Sequence, residues 1–246
     1  MLRELSQTLL AEGVPPGAEP VYKGRNRLYS LVLTDGLKVN IKAFRSGGLI
    51  KGLLYGRLRR NKAFRSFDNA LRLLSLGFDT PRPLAACVTR TCRGWRLREA
   101  YYICVHEDNV RETRCWEDWP DRDAMVVALG AEMARLFRAG VLFRDFSPGN
   151  VLLRTPVAEG RYRFLYVDVN RTDFDVHSRR KLMSMFKRIN IVEAETARLA
   201  EALAREMEWD ERDTRLRALG VLRRFLWMKD DVQKPLKRLF KRLFRH

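Results

Sequence analysis

Val141-Leu-Phe-Arg-Asp-Phe-Ser-Pro-Gly-Asn-Val-Leu-Leu153, followed by Phe164-Leu-Tyr-Val-Asp-Val-Asn170, is the stretch on which the fold turns. Apolar runs flank Asp145 and Asn150, which stand five residues apart in a loop containing Ser147, Pro148 and Gly149. Asp168 ends the next apolar run. Oxygen-bearing side chains at strand ends suit a magnesium-dependent phosphoryl transferase, because magnesium prefers hard oxygen ligands and an attacking hydroxyl needs a carboxylate to accept its proton. Asp145 is the candidate for that carboxylate.

Working outward, Val151 to Leu153 and Phe164 to Val167 read as a hairpin in a helical half of the chain. Ahead of it, Val126, Leu129, Met133, Leu136 and Phe137 form a helical stripe closed by Gly140. Beyond Arg179 the pattern is helical throughout. Its stripes are Leu182, Met185, Phe186 and Ile189, then Val192, Thr196, Leu199 and Leu203, then Leu216, Leu219, Leu222 and Phe225.

Towards the N-terminus, Leu28 to Thr34 and Leu37 to Ala43 flank an Asp35-Gly36 turn and read as a hairpin. Strand alternation puts Leu37, Val39, Ile41 and Ala43 on one face and Lys38, Asn40 and Lys42 on the other, so Lys42 is expected away from the apolar side. After a glycine-containing loop, Phe64, Phe67, Leu71 and Leu74 recur at helical spacing, and the helix ends near Gly77. Ala100 to Val105 reads as a buried strand and His106 to Asn109 as a connector. Strands with one helix, a connector, then mostly helices imply an α+β fold in two lobes, 1–105 and 106–246.

Arg144-Asp145-Phe146-Ser-Pro-Gly-Asn150 resembles the protein-kinase catalytic loop H-R-D-L-x-x-x-N, with Phe143 in place of the histidine. Asp168-Val169-Asn170 stands where D-F-G is expected, and Val39-Asn40-Ile41-Lys42 has the spacing of V-A-I-K. The resemblance implies a protein-kinase-like fold, with a small antiparallel-sheet N-lobe carrying one helix and a larger helical C-lobe. It implies Asp145 as catalytic base, Asn150 and Asp168 as magnesium ligands, and Lys42 as the cation on the ATP phosphates. Asp68 is the only acid between Asp35 and Asp79 and is the candidate partner for Lys42. Aspartate is a methylene shorter than the usual glutamate, so the pairing requires a close approach of helix and sheet.

Several features depart from the protein-kinase pattern. There is no G-x-G-x-x-G, and the phosphate loop falls on Tyr22-Lys-Gly24-Arg25-Asn26-Arg27. No A-P-E follows Asp168, and Asn40 replaces the small residue expected beneath an adenine ring. The missing histidine, the segments Asn61 to Ala70 and Gly77 to Pro81, and the Asp168-Val-Asn-Arg171 block resemble the bacterial lipopolysaccharide kinases that phosphorylate Kdo or heptose of the inner core. That likeness spans roughly residues 20 to 190. It implies a core sugar of lipid A as acceptor, with ATP and Mg2+ as cofactors.

The formal net charge of +18 calls for an anionic partner. From Lys38 to Arg65 the sequence has nine Lys or Arg and no acid, and Pro235 to His246 reads as a basic amphipathic helix with Leu236, Leu239, Phe240, Leu243 and Phe244 on one side. Such a helix suits an anionic inner-membrane surface, or else packs its stripe on the helical lobe. No apolar run reaches the length of a membrane span or signal peptide, so the expected location is cytoplasmic, peripheral on the inner membrane. Cys87, Cys92, Cys104 and Cys115 form no C-x-x-C pair, which argues against a zinc site or a disulfide framework.

Plainer readings exist for each residue: Asp145, Asn150 and Asp168 as loop caps, Lys42 as a solvated strand lysine, Asp68 as a surface residue. Rival functions are an atypical protein kinase or aminoglycoside-type small-molecule kinase, a pseudokinase scaffold, and a nucleic-acid-binding protein. The last is disfavoured because neither zinc-finger nor aromatic RNP motifs accompany the charge.

Overall fold

Alternating residues of one strand reach both faces of a sheet, and here both faces are covered. The computed structural model describes residues 1–24, 26–45, 61–91, 96–114, 121–157, 161–189 and 191–233. The chain divides into two compact units, 1–110 with 165–171, and 111–164 with 172–246.

The first unit begins with helix α1 (Leu2–Ala11), followed by strands β1 (Glu19–Lys23), β2 (Asn26–Val32) and β3 (Lys38–Arg45), helix α2 (Lys62–Ser75), and strands β4 (Pro83–Thr91) and β5 (Arg96–Val105). The strands form one antiparallel sheet in the order β1-β2-β3-β5-β4. Register sets Ile41 between Tyr29 and Ile103, and Lys42 between Leu28 and Tyr102. The Asp35 carboxylate accepts from Leu37 N at 3.0 Å and tightens the β2–β3 turn.

On one face Val39, Ile41, Ala43, Tyr101 and Ile103 pack with Leu5 and Leu9. Those two leucines belong to α1, a second helix of this unit where the sequence analysis expects one. On the other face Phe44, Ala100, Tyr102 and Cys104 pack with Ala63 and half-buried Phe67 of α2. The face of Lys42 is therefore apolar as well, because Phe44 and the β5 residues beside it supply what the alternation within β3 does not.

The buried stripe of α2 also differs from expectation: Ala63, Ser66, Ala70 and Leu73 are buried, Phe64 and Phe67 are half-buried, and Leu71 and Leu74 are exposed. Ala63 and part of Phe67 meet the sheet, while Leu71 and Leu74 are left in solvent. Asn61 caps the helix, its Oδ1 accepting from Phe64 N at 3.0 Å, a contact worth about 1 kcal/mol.

The second unit follows β6 (Val110–Glu112) with helix α3 (Arg122–Arg138), β7 (Leu142–Phe143) and β8 (Val151–Arg154). Strand β9 (Phe164–Tyr166) straddles the division, after which β10 (Thr172–Asp173) pairs antiparallel with β7. Helices α4 (Arg179–Leu182), α5 (Glu193–Met207) and α6 (Glu211–Trp227) complete it, with a π-helical turn Met228–Gln233. Residues 183–188 are a 3-10 segment rather than a continuation of α4, yet Leu182, Met185, Phe186 and Ile189 are buried as the spacing predicts. Val192 and Leu216 are instead exposed, and α6 buries Thr214, Ala218 and Leu222.

Helices α3 and α5 meet at Gly130, where an added Cβ would stand 2.6 Å from the Leu199 carbonyl oxygen and 2.7 Å from Ala202 Cβ. A mid-helix glycine ordinarily gains about 1 kcal/mol on replacement by alanine. Here the clash is with backbone and reverses the sign. Gly130→Ala is expected to destabilise the protein by about 1–3 kcal/mol, read as a lower midpoint in a urea titration.

Candidate active site

In the first unit Lys42 Nζ forms an ion pair with Asp168 Oδ1 at 2.8 Å. The lysine side chain runs along the α2 face of the sheet, its ammonium 5.6 Å from the centre of the Phe44 ring. Asp168 has φ +55°, a left-handed conformation that aspartate tolerates better than most residues and that clusters at functional sites. The strain is held from several sides. Asn170, buried, donates from Nδ2 to Asp168 Oδ1. Asn69 on α2 donates to Val169 O at 2.8 Å.

Upstream, Thr80 Oγ1 donates to Tyr166 O at 2.7 Å, Tyr166 N donates to Asp79 O at 2.9 Å, and Asp79 and Leu165 form a parallel bridge. These bonds make 165–171 part of the first unit although the sequence places it in the helical half. Asn69 and Asn170 are positioning residues that the sequence analysis does not single out: nothing in a lone asparagine on a helix marks it as reaching a backbone a hundred residues away.

Of the expected phosphate loop, Gly24 and Asn26 lie at the β1–β2 hairpin tip, where Gly24 N donates to Asn26 O at 3.2 Å. An added Cβ on Gly24 would come within 2.6 Å of the Tyr22 hydroxyl, so the aromatic ring lies directly against the glycine. Arg25 falls outside the described residues, as do most of the basic loop, Cys92, Cys115 and the 235–246 stretch. Asn40 has a partner of its own, His106 Nδ1 at 2.9 Å. Asp68 is half-buried on α2.

In the second unit the 144–150 loop is a tightly bonded turn. Ser147 N donates to Asp145 O at 3.0 Å, and Asn150 N and Val151 N both donate to Ser147 O, at 2.8 and 3.1 Å. Asn150 Nδ2 donates to Asp145 O at 2.9 Å, which leaves its amide oxygen for another partner. Buried Thr113 braces the loop from behind, its hydroxyl 3.1 Å from Pro148 O and 3.0 Å from Val151 O. Phe143, in the position of the expected histidine, is buried with its ring centre 6.1 Å from that of Phe146. Arg144 turns to Asp173 at 2.5 Å. Asp145 Oδ1 receives Arg188 at 2.8 Å, a contact that sequence spacing does not announce.

The structure thus brings Lys42 and Asp168 together in one unit, and Asp145 and Asn150 together in the other. A carboxylate held by an ammonium and an asparagine amide, and an asparagine whose oxygen is left over, are donor sets that fit a hard divalent cation. Magnesium keeps several waters and phosphate oxygens, so it needs only one or two protein ligands.

Comparison with known proteins identifies the family. Residues 21–203 match the profile of the lipopolysaccharide kinase (Kdo/WaaP) family. The chain belongs to that family. It is 23% identical over 194 residues to 3-deoxy-D-manno-octulosonic acid kinase of Vibrio parahaemolyticus serotype O3:K6 (strain RIMD 2210633), covering 74% of this chain and 73% of that protein.

Among solved structures, WaaP in complex with acyl carrier protein superposes with a TM-score of 0.57 at 19% identity, covering 93% of this chain and 95% of the other. The Rio2 kinase–ADP/Mg2+–phosphoaspartate complex from Chaetomium thermophilum gives 0.50 at 16% identity, covering 89% and 69%. The fold is accordingly α+β and protein-kinase-like. The chain is a kinase, of a family that transfers phosphate to a sugar hydroxyl. Among the described residues no helix is long and apolar enough to cross a membrane.

Cys104 lines the same sheet face as Lys42. Burial pushes its thiol up to about 12 against a smaller opposing pull from the Lys42 charge, and burial pushes Cys87 on the opposite face up to about 11. A raised thiol pKa keeps the neutral form below it, so at pH 8 roughly one thiol in a thousand or fewer is thiolate at either site. Both cysteines should resist iodoacetamide at pH 8 in the folded protein and react once urea unfolds it, as site-resolved mass spectrometry would record.

Proposed function

We propose that this protein uses ATP and magnesium to phosphorylate a hydroxyl of a Kdo or heptose residue in the lipopolysaccharide inner core, at the cytoplasmic face of the inner membrane. The observation that carries this reading is the Lys42–Asp168 pair, anchored by Asn69 and Asn170, in a chain of this family.

Lys42 is the cation for the nucleotide's α and β phosphates, and Asp168 and Asn150 are the magnesium ligands. Magnesium supplies charge neutralisation on the β and γ oxygens. With Asp168 holding the metal, Asp68 on α2 would be the carboxylate that pairs with Lys42. Its helix packs on the Lys42 face of the sheet through the small side chain of Ala63, and that packing supports a role for the shorter acid. Gly24, Arg25 and Asn26 are the phosphate-loop residues, of which Gly24 and Asn26 lie at the β1–β2 tip. Asp145 accepts the proton of the sugar hydroxyl while its oxygen bonds to the γ phosphorus and the bond from that phosphorus to the β-γ bridging oxygen breaks, releasing ADP.

Two features support work at an anionic surface. The net charge is +18, and exposed Leu226, Trp227 and Met228 stand just ahead of the basic stretch 235–246. Basic residues close to an anionic bilayer contribute about 1 kcal/mol each.

The test is transfer of labelled γ-phosphate from ATP to a lipid A precursor bearing the core sugar, with the product located by mass spectrometry. Asp145→Ala should lose transfer by about 10²–10⁴-fold with ADP binding intact. Asp168→Ala should weaken magnesium-dependent ADP binding as well. An Asp145→Ala enzyme as active as its parent would remove the mechanism.

A further inference from the structure

The sequence of the 144–150 loop supplies one cation, Arg144, and the structure turns it to Asp173. The charge on Asp145 comes instead from Arg188, at the end of the 183–188 3-10 segment. Four buried residues, Leu182, Met183, Met185 and Phe186, pin that segment to the helical core. Three residues per turn in place of 3.6 changes where its last side chains emerge. Arg188 is backed by the Phe225 ring of α6, its guanidinium carbon 5.9 Å from the ring centre. Its side chain is 45% exposed and that of Asp145 24%, so the pair faces open space rather than sealing a core.

We infer that Arg188 is a positioning residue for the transfer step: it fixes the Asp145 carboxylate by one oxygen, so that the other is presented to the acceptor hydroxyl. This deepens the kinase reading and rests on Asp145 being the base. Asn150 Nδ2 bonds to the backbone oxygen of Asp145 and not to its carboxylate, and Arg144 is engaged by Asp173, so among the described contacts Arg188 is what restrains the reacting carboxylate. The bonds made and broken remain those given above. Arg188 takes no proton, since arginine stays charged throughout the working pH range.

Orientation of a reacting group is worth about 10²-fold when lost by an ångström or so. Arg188→Gln should therefore lower kcat by about 10- to 100-fold, with the KM for ATP and the affinity for ADP–magnesium unchanged. Arg188→Lys should keep part of the rate, and guanidinium ion added to Arg188→Ala should restore part of it. A parent-like kcat in Arg188→Gln would overturn the inference. So would a loss of ADP binding and thermal stability in step with kcat, which would mark a merely structural residue.

Crystal structures of the parent and of Arg188→Gln, neither with acceptor, separate this inference from the acceptor assignment. A carboxylate of Asp145 that turns away only in the variant supports the positioning role, even should no core sugar be phosphorylated. One that stays in place refutes it, even should the sugar be the substrate.

Discussion

A carboxylate in a left-handed backbone conformation, clasped by a lysine from the middle of a sheet, is the constraint around which the first unit is arranged. Asp168 reaches Lys42 only because β3 sends that side chain to the α2 face, and only because 165–171 is sewn to the end of α2 by Asp79 and Thr80. Ala63 packs α2 on the sheet, and Asn69 on the same helix bonds the loop backbone. Packing and chemistry share one helix there.

The second unit treats its carboxylate differently. Asp145 sits in a turn whose carbonyls are bonded by Ser147, Asn150 and Val151 and whose back is braced by Thr113, so backbone position is fixed locally. Its side chain is restrained from a distance, by Arg188. An exposed ion pair of this kind contributes about 1 kcal/mol or less to stability. In the proposed mechanism its value is orientation, which the surrounding backbone bonds do not provide.

Much of this was legible. Lys42, Asp145, Asn150 and Asp168 stand in the order and spacing of the protein-kinase motif blocks, and the family resemblance drawn from those blocks agrees with the family match over 21–203. The stripes of α3 and of residues 182–189 were equally plain, because long runs of large apolar side chains have one favourable face. Less legible were α1, two strands of the first sheet, and the face of α2. Alanine and serine carry little hydropathy signal, so the stripe of Ala63, Ser66 and Ala70 is outweighed by the neighbouring phenylalanines, which are half-buried, and by Leu71 and Leu74, which end in solvent.

The sequence by itself determined the candidate residues and their order, the net positive charge, and the α+β class, since these follow from side-chain identity and local periodicity. Only the tertiary structure decided their partners: Lys42 with Asp168, Asn69 with the backbone at Val169, Arg188 with Asp145. Those contacts span 43 to about 126 residues of chain. A pattern that repeats every two or four residues holds no information at such separations. It arises when the sheet register, the depth of a helix and the pitch of a 3-10 turn are set together by packing.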